Sequence, residues 1–208
     1  MADRSSANSL DFSSVVQAWD RAKESHIHPL WDKSQESYWE SGCFQAGQVG
    51  QWAEPGATVV DFGCGNGRLS IPLAQAGYDV IAVDSSATML QRLKERSRQA
   101  GVNIKALQSD GSDLAAQLGR KKKADAIVAR AVLIHHDFEG VQHIVTNVAK
   151  ALKKDGHFIA DWPLGQPTER DTWISVTTWD AEHRAEIAQK AGLSPVQVST
   201  DPSVWIKK

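Results

Sequence analysis

The sequence predicts an α/β domain with a doubly wound, mostly parallel sheet and an N-terminal helical lid, and three observations carry that prediction. Short apolar runs alternate with helix-like segments from Ala57 onward. The links between them are short, as when crossover helices cover both faces of a parallel sheet. The first apolar run passes straight into a turn with glycines at alternate positions, Gly63, Gly65 and Gly67, and then into a helix.

Residues 58–61 read as a buried first strand. A helix is expected over 67–76, with Leu69, Leu73 and Ala76 at helical spacing and Gly77 as its stop. Pro72 falls inside it, where it costs least near the first turn. Residues 79–83 form the second strand, and the helix around Met89, Leu90 and Leu93 ends near Gly101. Residues 104–107 make a weaker third strand, 126–129 a fourth, and 157–160 a fifth after a helix over 141–152. The tail closes with a helix over 181–191 stopped by Gly192, then 196–198 and 204–206 as an antiparallel pair joined around Asp201 and Pro202.

Residues 1–56 differ. They hold four of the eight tryptophans (Trp19, Trp31, Trp39, Trp52) and show no strand pattern. Punctuation at Pro29, Gly42 and Pro55-Gly56 predicts two or three helices. This segment is expected to be a lid, not an independent domain, over a domain spanning 57–208.

Composition excludes several classes. The 208 residues are 41% hydrophobic and 23% charged, which suits one core with a small appendage. Lys+Arg number 23 against 25 Asp+Glu, so a net charge of -2 gives no field that would recruit a polyanion, and no nucleic-acid partner is expected. The run Lys121-Lys122-Lys123 reads as a solvated loop. Cys43 and Cys64 lie too far apart for a disulfide framework or paired zinc ligands, and suit a reducing compartment. The N-terminus lacks the basic and apolar regions of a secretory signal, and no apolar run approaches the roughly 20 residues of a membrane helix. A cytoplasmic protein without a membrane partner, monomeric or homodimeric, is expected.

The glycine turn carries the chemistry. Glycines allow positive φ and close approach of backbone to a ligand, while the following helix offers unpaired N–H groups. Spacing selects the ligand. A dinucleotide turn needs a glycine three residues after Gly65, where Arg68 stands, and no Gly-Lys-Ser/Thr follows for a phosphate loop. Asp84 ends the second strand, where a carboxylate can take both hydroxyls of a ribose. An adenosine-bearing ligand without a pyrophosphate is implied.

Val59-Val60-Asp61-Phe62-Gly63-Cys64-Gly65-Asn66-Gly67 resembles the first motif of the class I, Rossmann-like S-adenosylmethionine-dependent methyltransferases. Val80-Ile81-Ala82-Val83-Asp84-Ser85-Ser86 resembles their second, Gln108-Ser109-Asp110-Gly111 their third and Asp125-Ala126-Ile127-Val128-Ala129-Arg130 their fourth. Leu152-Lys153-Lys154-Asp155-Gly156-His157 is similar to their approach to the fifth strand, so the likeness covers about residues 50–208. It implies seven strands in the order 3-2-1-4-5-7-6, the last antiparallel, and S-adenosyl-L-methionine as cofactor. It also implies cofactor contacts. The backbone at Gly63, Cys64, Gly65 and Gly67 would meet the methionine and ribose portions, and Asp84 with Ser85 the ribose. Asp110 and the Gly111 amide would meet the adenine edge, Asp61 the methionine end, and Ala129 and Arg130 the methionine ammonium.

Methyl transfer from a sulfonium is an in-line displacement that needs a positioned nucleophile and an exit for its proton. The reacting centre of an open α/β sheet lies beyond the carboxyl ends of its strands. His135, His136 and Tyr38 are therefore the catalytic candidates, and Trp31, Trp39, Asp161 and Trp162 the substrate-binding ones. Neighbours on a helix point about 100° apart, so one of the two histidines is expected to face the pocket, His135 the better placed. Each has a plainer alternative: the histidines as caps or packing, the tryptophans as core. No metal is expected, because adjacent histidines without a clustered third ligand make no tetrahedral site. Methylases of exocyclic base amines carry Asn or Asp, then Pro-Pro and an aromatic, after the fourth strand. Here Ala129-Arg130-Ala131-Val132 stands instead, against an adenine or glutamine-amide target. The expected reaction is methylation of an oxygen or nitrogen of a small molecule. The alternatives are a protein or tRNA methyltransferase and a noncatalytic S-adenosylmethionine-binding regulator.

Overall fold

The computed structural model describes residues 12–21, 34–119, 123–169, 176–197 and 202–208. Two helices come first, α1 (Phe12–Arg21) and α2 (Gln35–Val49). Alternation follows: β1 (Thr58–Phe62), α3 (Ser70–Gln75), β2 (Asp79–Asp84), α4 (Ala87–Gln99), β3 (Lys105–Gln108), α5 (Leu114–Leu118), β4 (Ala124–Ala129), α6 (Phe138–Ala151), β5 (Leu152–Ala160) and α7 (Ala181–Lys190). The antiparallel strands β6 (Leu193–Gln197) and β7 (Ser203–Lys207) close the chain. One sheet orders the seven strands β3-β2-β1-β4-β5-β7-β6, with β1 to β5 parallel and β7 antiparallel to both neighbours. The order is the one the resemblance implies.

Side-chain alternation in the central strands feeds two cores. Val60, Phe62, Ile81, Val83, Ile127 and Phe158 pack with residues of α5, α6 and α7. Val59, Val80, Ala126, Val128 and Ile159 pack with Ala46 and Val49 of α2 and Leu69 and Leu73 of the α3 segment. Both faces are therefore covered, as the continuous apolar strands require. Asp137 and Asp180 cap α6 and α7 by accepting from the Gly140 and His183 N–H groups at 2.7 and 2.8 Å.

Several boundaries differ from those expected. α3 starts at Ser70, because Gly67 at φ +95° prolongs the turn, and Pro72 then falls in the first helical turn. β5 begins at Leu152, directly after α6, and runs through the segment read as a link. Lys153 Nζ grips both oxygens of Asp125 at 2.7 and 2.8 Å and draws that segment alongside β4. The short α5 was not foreseen, since five residues show no periodicity. Gly42, read as helix punctuation, lies inside α2, for a reason that belongs to the site. Pro29, Trp31 and Trp173 lie outside the described residues. Among the described residues no helix is long and apolar enough to cross a membrane.

Candidate active site

A cavity of about 580 Å³ opens at the carboxyl ends of the parallel strands and is covered by α1 and α2. Its floor is backbone. The Gly63 and Cys64 N–H groups both donate to Val83 O, at 2.8 and 3.0 Å, so the turn after β1 folds back onto the end of β2. Gly63, Gly65 and Gly67 take φ of +73°, +52° and +95°. A side chain on Gly63 would lie 2.3 Å from Val132, and one on Gly67 2.5 Å from Leu93, so these glycines let neighbouring elements close in. Gly65 is different: a Cβ there would meet nothing within 4 Å, and the residue lines the open cavity. Backbone is thus presented to a ligand at that point.

Asp84 pins the turn. One carboxylate oxygen accepts from the Gly65 N–H and the other from the Ser86 N–H, both at 2.8 Å, and each keeps lone-pair capacity toward the cavity it lines. Burial pushes its carboxyl above the usual range, against the pull of those N–H groups. Asp61, buried at the end of β1, accepts a 2.5 Å hydrogen bond from Ser70 Oγ, and burial lifts its carboxyl to about 6. Asp110 lines the cavity beyond β3, its carboxyl held below the usual range by Ser112.

At the other end of the floor, Arg130 and Asp161 form an ion pair at 3.1 Å, and Asp161 also accepts from the Ala131 N–H at 2.7 Å. Ala131 sits at φ +55°, which turns the chain sharply after β4 and leans Val132 on Gly63. A single 3-10 turn, Leu133–His135, follows. Thr177 anchors it by donating its N–H to Ile134 O at 3.0 Å and its hydroxyl to His136 O at 2.6 Å.

The roof is made of side chains. Val15, Val16 and Trp19 of α1 face the cavity, as do Tyr38, Ser41 and Gln45 of α2. α1 is tied down by Asp20, which accepts from Ser86 Oγ at 2.5 Å and from the Thr88 N–H at 3.4 Å, at the N-terminus of α4. α2 approaches the glycine turn so closely that a Cβ on Gly42 would stand 2.1 Å from Arg68 O, which explains a glycine within a helix. Tyr38 Oη donates to Asn66 Oδ1 at 3.4 Å, and burial pushes its phenol up beyond the ordinary value despite nearby Arg68 and Arg96.

The cavity brings together Tyr38, Asp61, Gly63, Cys64, Gly65, Asp84, Ser85, Asp110, Arg130, His135, His136 and Asp161. Both histidines line it, contrary to the expectation of one. His136 caps the 3-10 turn in an extended conformation, φ -115° and ψ 155°, so the 100° rule for helical neighbours does not apply. Gly67 does not line the cavity but shapes the turn. The Gly111 N–H donates to Ser109 Oγ at 3.0 Å and Gly111 lies against the Phe62 ring, which removes it from the cavity wall. Ala129, fully buried, gives its carbonyl to the Asp161 N–H at 3.0 Å.

Two tryptophans are corrected. Trp39 does not line the cavity; its ring meets the Arg96 guanidinium at 4.3 Å and the edge of Tyr38 at 5.2 Å, joining α2 to α4. Trp162, 2% exposed, lies in the core against Trp179 and Trp205, with Arg184 beside its ring and Trp205. Sequence reasoning missed Trp19, Ser41, Gln45 and Arg68 as cavity residues. For Ser41 and Gln45 the helical spacing from Tyr38 on α2 was the available signal. Among the described residues no three acidic, histidine or cysteine side chains could hold a metal ion.

Comparison with known proteins agrees with this architecture. Residues 59–156 match a family model described as a methyltransferase domain. A ubiquinone biosynthesis O-methyltransferase of Rickettsia conorii is 31% identical over 98 residues, covering 47% of this chain and 32% of that protein. A magnesium-protoporphyrin O-methyltransferase of Synechocystis is 37% identical over 95 residues, covering 46% and 40%. A further ubiquinone biosynthesis O-methyltransferase, from Methylobacterium, is 30% identical over 145 residues, covering 68% and 56%. The matched stretches thus span 32% to 56% of the length of these relatives. The crystal structure of the Synechocystis magnesium protoporphyrin IX methyltransferase with bound S-adenosylmethionine superposes with a TM-score of 0.69 at 19% identity, over 98% of this chain and 100% of that one. Motifs, strand order and matched region agree: residues 59–156 form a methyltransferase domain, set in the fold of the class I, Rossmann-like S-adenosylmethionine-dependent methyltransferases.

Proposed function

We propose that this protein methylates an oxygen of a small-molecule acceptor, using S-adenosylmethionine. One observation carries the reading: the glycine turn with Asp84 and the histidine turn after β4 wall the same cavity. The O-methyltransferase relatives favour oxygen over nitrogen. When bound, the cofactor supplies an electrophilic methyl on a sulfonium.

The open backbone at Gly65 and the spare lone pairs of Asp84 suit an adenosyl ligand, with the ribose hydroxyls on Asp84 and the adenine toward Asp110. Asp61 would face the ammonium of its amino-acid end. His135, on the far wall, takes the proton of the acceptor hydroxyl as its oxygen becomes nucleophilic; imidazole titrates in the right range for that task. Tyr38 keeps its proton and serves as a hydrogen-bond donor. Arg130 and Asp161 hold the turn that carries the histidines. α1 and α2 act as the lid, with Val15, Val16 and Trp19 excluding water from the acceptor. The free cysteines, Cys43 and Cys64, favour a reducing cytoplasm.

Methyl-labelled S-adenosylmethionine offered to metabolite, protein and RNA fractions of the source cell tests the reading. Label in a low-mass product is expected, and label confined to protein or RNA overturns the small-molecule assignment. His135→Ala should lower turnover by about a hundredfold while leaving S-adenosylhomocysteine affinity unchanged.

A further inference from the structure

We propose that Arg68, braced from behind by Tyr38 and Ser41 of α2, seats the carboxylate at the amino-acid end of the S-adenosyl ligand. The inference rests on the cofactor reading above and assigns a residue outside the glycine motif.

The Arg68 side chain lines the cavity and is held on two sides. Its Nη1 donates to Ser41 Oγ at 2.9 Å, and its guanidinium lies over the Tyr38 ring at 5.3 Å. Ser41 Oγ in turn donates to Tyr38 O at 2.7 Å, so the hydroxyl itself is oriented. A guanidinium fixed in this way loses little freedom when it binds a planar anion, and its fork matches a carboxylate. The close approach of α2 that makes this bracing possible depends on Gly42, whose missing side chain leaves room for Arg68 O.

Charge defines the ligand. Among the described residues no carboxylate forms an ion pair with Arg68; Asp61, the acid whose field it feels, instead accepts a hydrogen bond from Ser70 Oγ. Arg68 and Asp61 thus border the cavity near the end of β1 as a cation and an anion that do not neutralise each other in contact. A zwitterion is the complement of such a pair, its ammonium toward Asp61 and its carboxylate toward Arg68. Strand order places this pair correctly along the ligand. Asp110 follows β3, Asp84 ends β2 and Asp61 lies in β1, so a ligand running from adenine through ribose reaches its amino-acid end at Arg68. A carboxylate on the methyl acceptor is the other source of the same chemistry.

Two probes separate the cases: S-adenosylhomocysteine, which carries the amino-acid end, and 5′-methylthioadenosine, which lacks it. Their affinities for wild type and Arg68→Gln, measured by calorimetry, decide. The substitution is expected to weaken S-adenosylhomocysteine by about tenfold to a hundredfold and to leave methylthioadenosine within about twofold. Retained methylthioadenosine binding also shows that the variant is folded; should Arg68→Gln not fold, Arg68→Lys is expected to show the same selective loss in smaller measure. Unchanged affinity for both probes overturns the seat in favour of an acceptor carboxylate, and equal loss of both overturns it in favour of a role in holding the turn. Wild type that binds neither probe overturns the cofactor reading itself.

Discussion

The floor of the cavity is made from backbone turns at the ends of β1 and β2, and its roof from side chains of α1 and α2. In the floor, hydrogen bonds link the Gly63–Gly67 turn to Val83 and Asp84. In the roof, the contacts that matter join residues distant in sequence: Ser41 with Arg68, Asp20 with Ser86, and Gly42 with the Arg68 carbonyl. The floor is therefore fixed by hydrogen bonds between two neighbouring turns, and the roof by contacts between segments far apart in the chain. The roof is also unequal. α2 meets the floor by close backbone packing, whereas the side-chain hydrogen bonds described between α1 and α4 come from the carboxylate of Asp20.

The largest expected effect lies in the floor. Asp84→Ala removes the acceptor of two N–H groups and, in the proposed cofactor seat, of the ribose hydroxyls, and should weaken S-adenosylhomocysteine by about a hundredfold. Unchanged calorimetric affinity would falsify that seat. Next comes the seam between floor and roof. Gly42→Ala gains helix propensity but drives a methyl into a backbone carbonyl that cannot give way. A net destabilisation of about 1–3 kcal/mol is expected in urea unfolding; a stabilised variant would mean that α2 sits farther from the turn.

The floor also predicts a pH dependence. Burial raises Asp61 from 3.8 to about 6 in the folded state, so folded protein holds its proton more tightly than unfolded chain. Its contribution to stability is fully present below about 4 and is lost as pH rises through about 6, and Asp61→Asn should flatten the unfolding free energy over that window. Ligand binding runs the other way. If the ionised carboxylate meets an ammonium, S-adenosylhomocysteine affinity should fall by roughly tenfold per pH unit below about 6, and parallel profiles in wild type and Asp61→Asn would remove that role. The smallest effect belongs to the weaker half of the roof. Asp20→Ala should weaken S-adenosylhomocysteine about threefold to fivefold, mainly by faster dissociation in stopped flow. A loss as large as that of Asp84→Ala would place α1 on the level of the floor.

Much of the floor was legible beforehand because its determinants are local. Three glycines in a strand-to-helix turn and an acid at the end of the next strand act within a few residues or across one parallel pairing. The tryptophans were legible as a surplus but not as positions: Trp19 faces the cavity, Trp39 braces α4, and Trp162 is core. An aromatic ring serves each of these purposes equally well, and only the packing around it decides. His135 and His136 show the same limit, because their shared orientation depends on where a short 3-10 turn stops.

By itself the sequence determined the sheet, through alternating apolar runs, and the glycine turn after β1, through a backbone conformation that glycine accepts most readily. The tertiary structure decided what meets above it. Arg68 became a braced cation when α2 came within reach of the turn, and Gly42 changed from a helix breaker into the point of closest approach. Local backbone chemistry is written in neighbouring residues, whereas a side chain's task is set by whatever distant segment the fold brings against it.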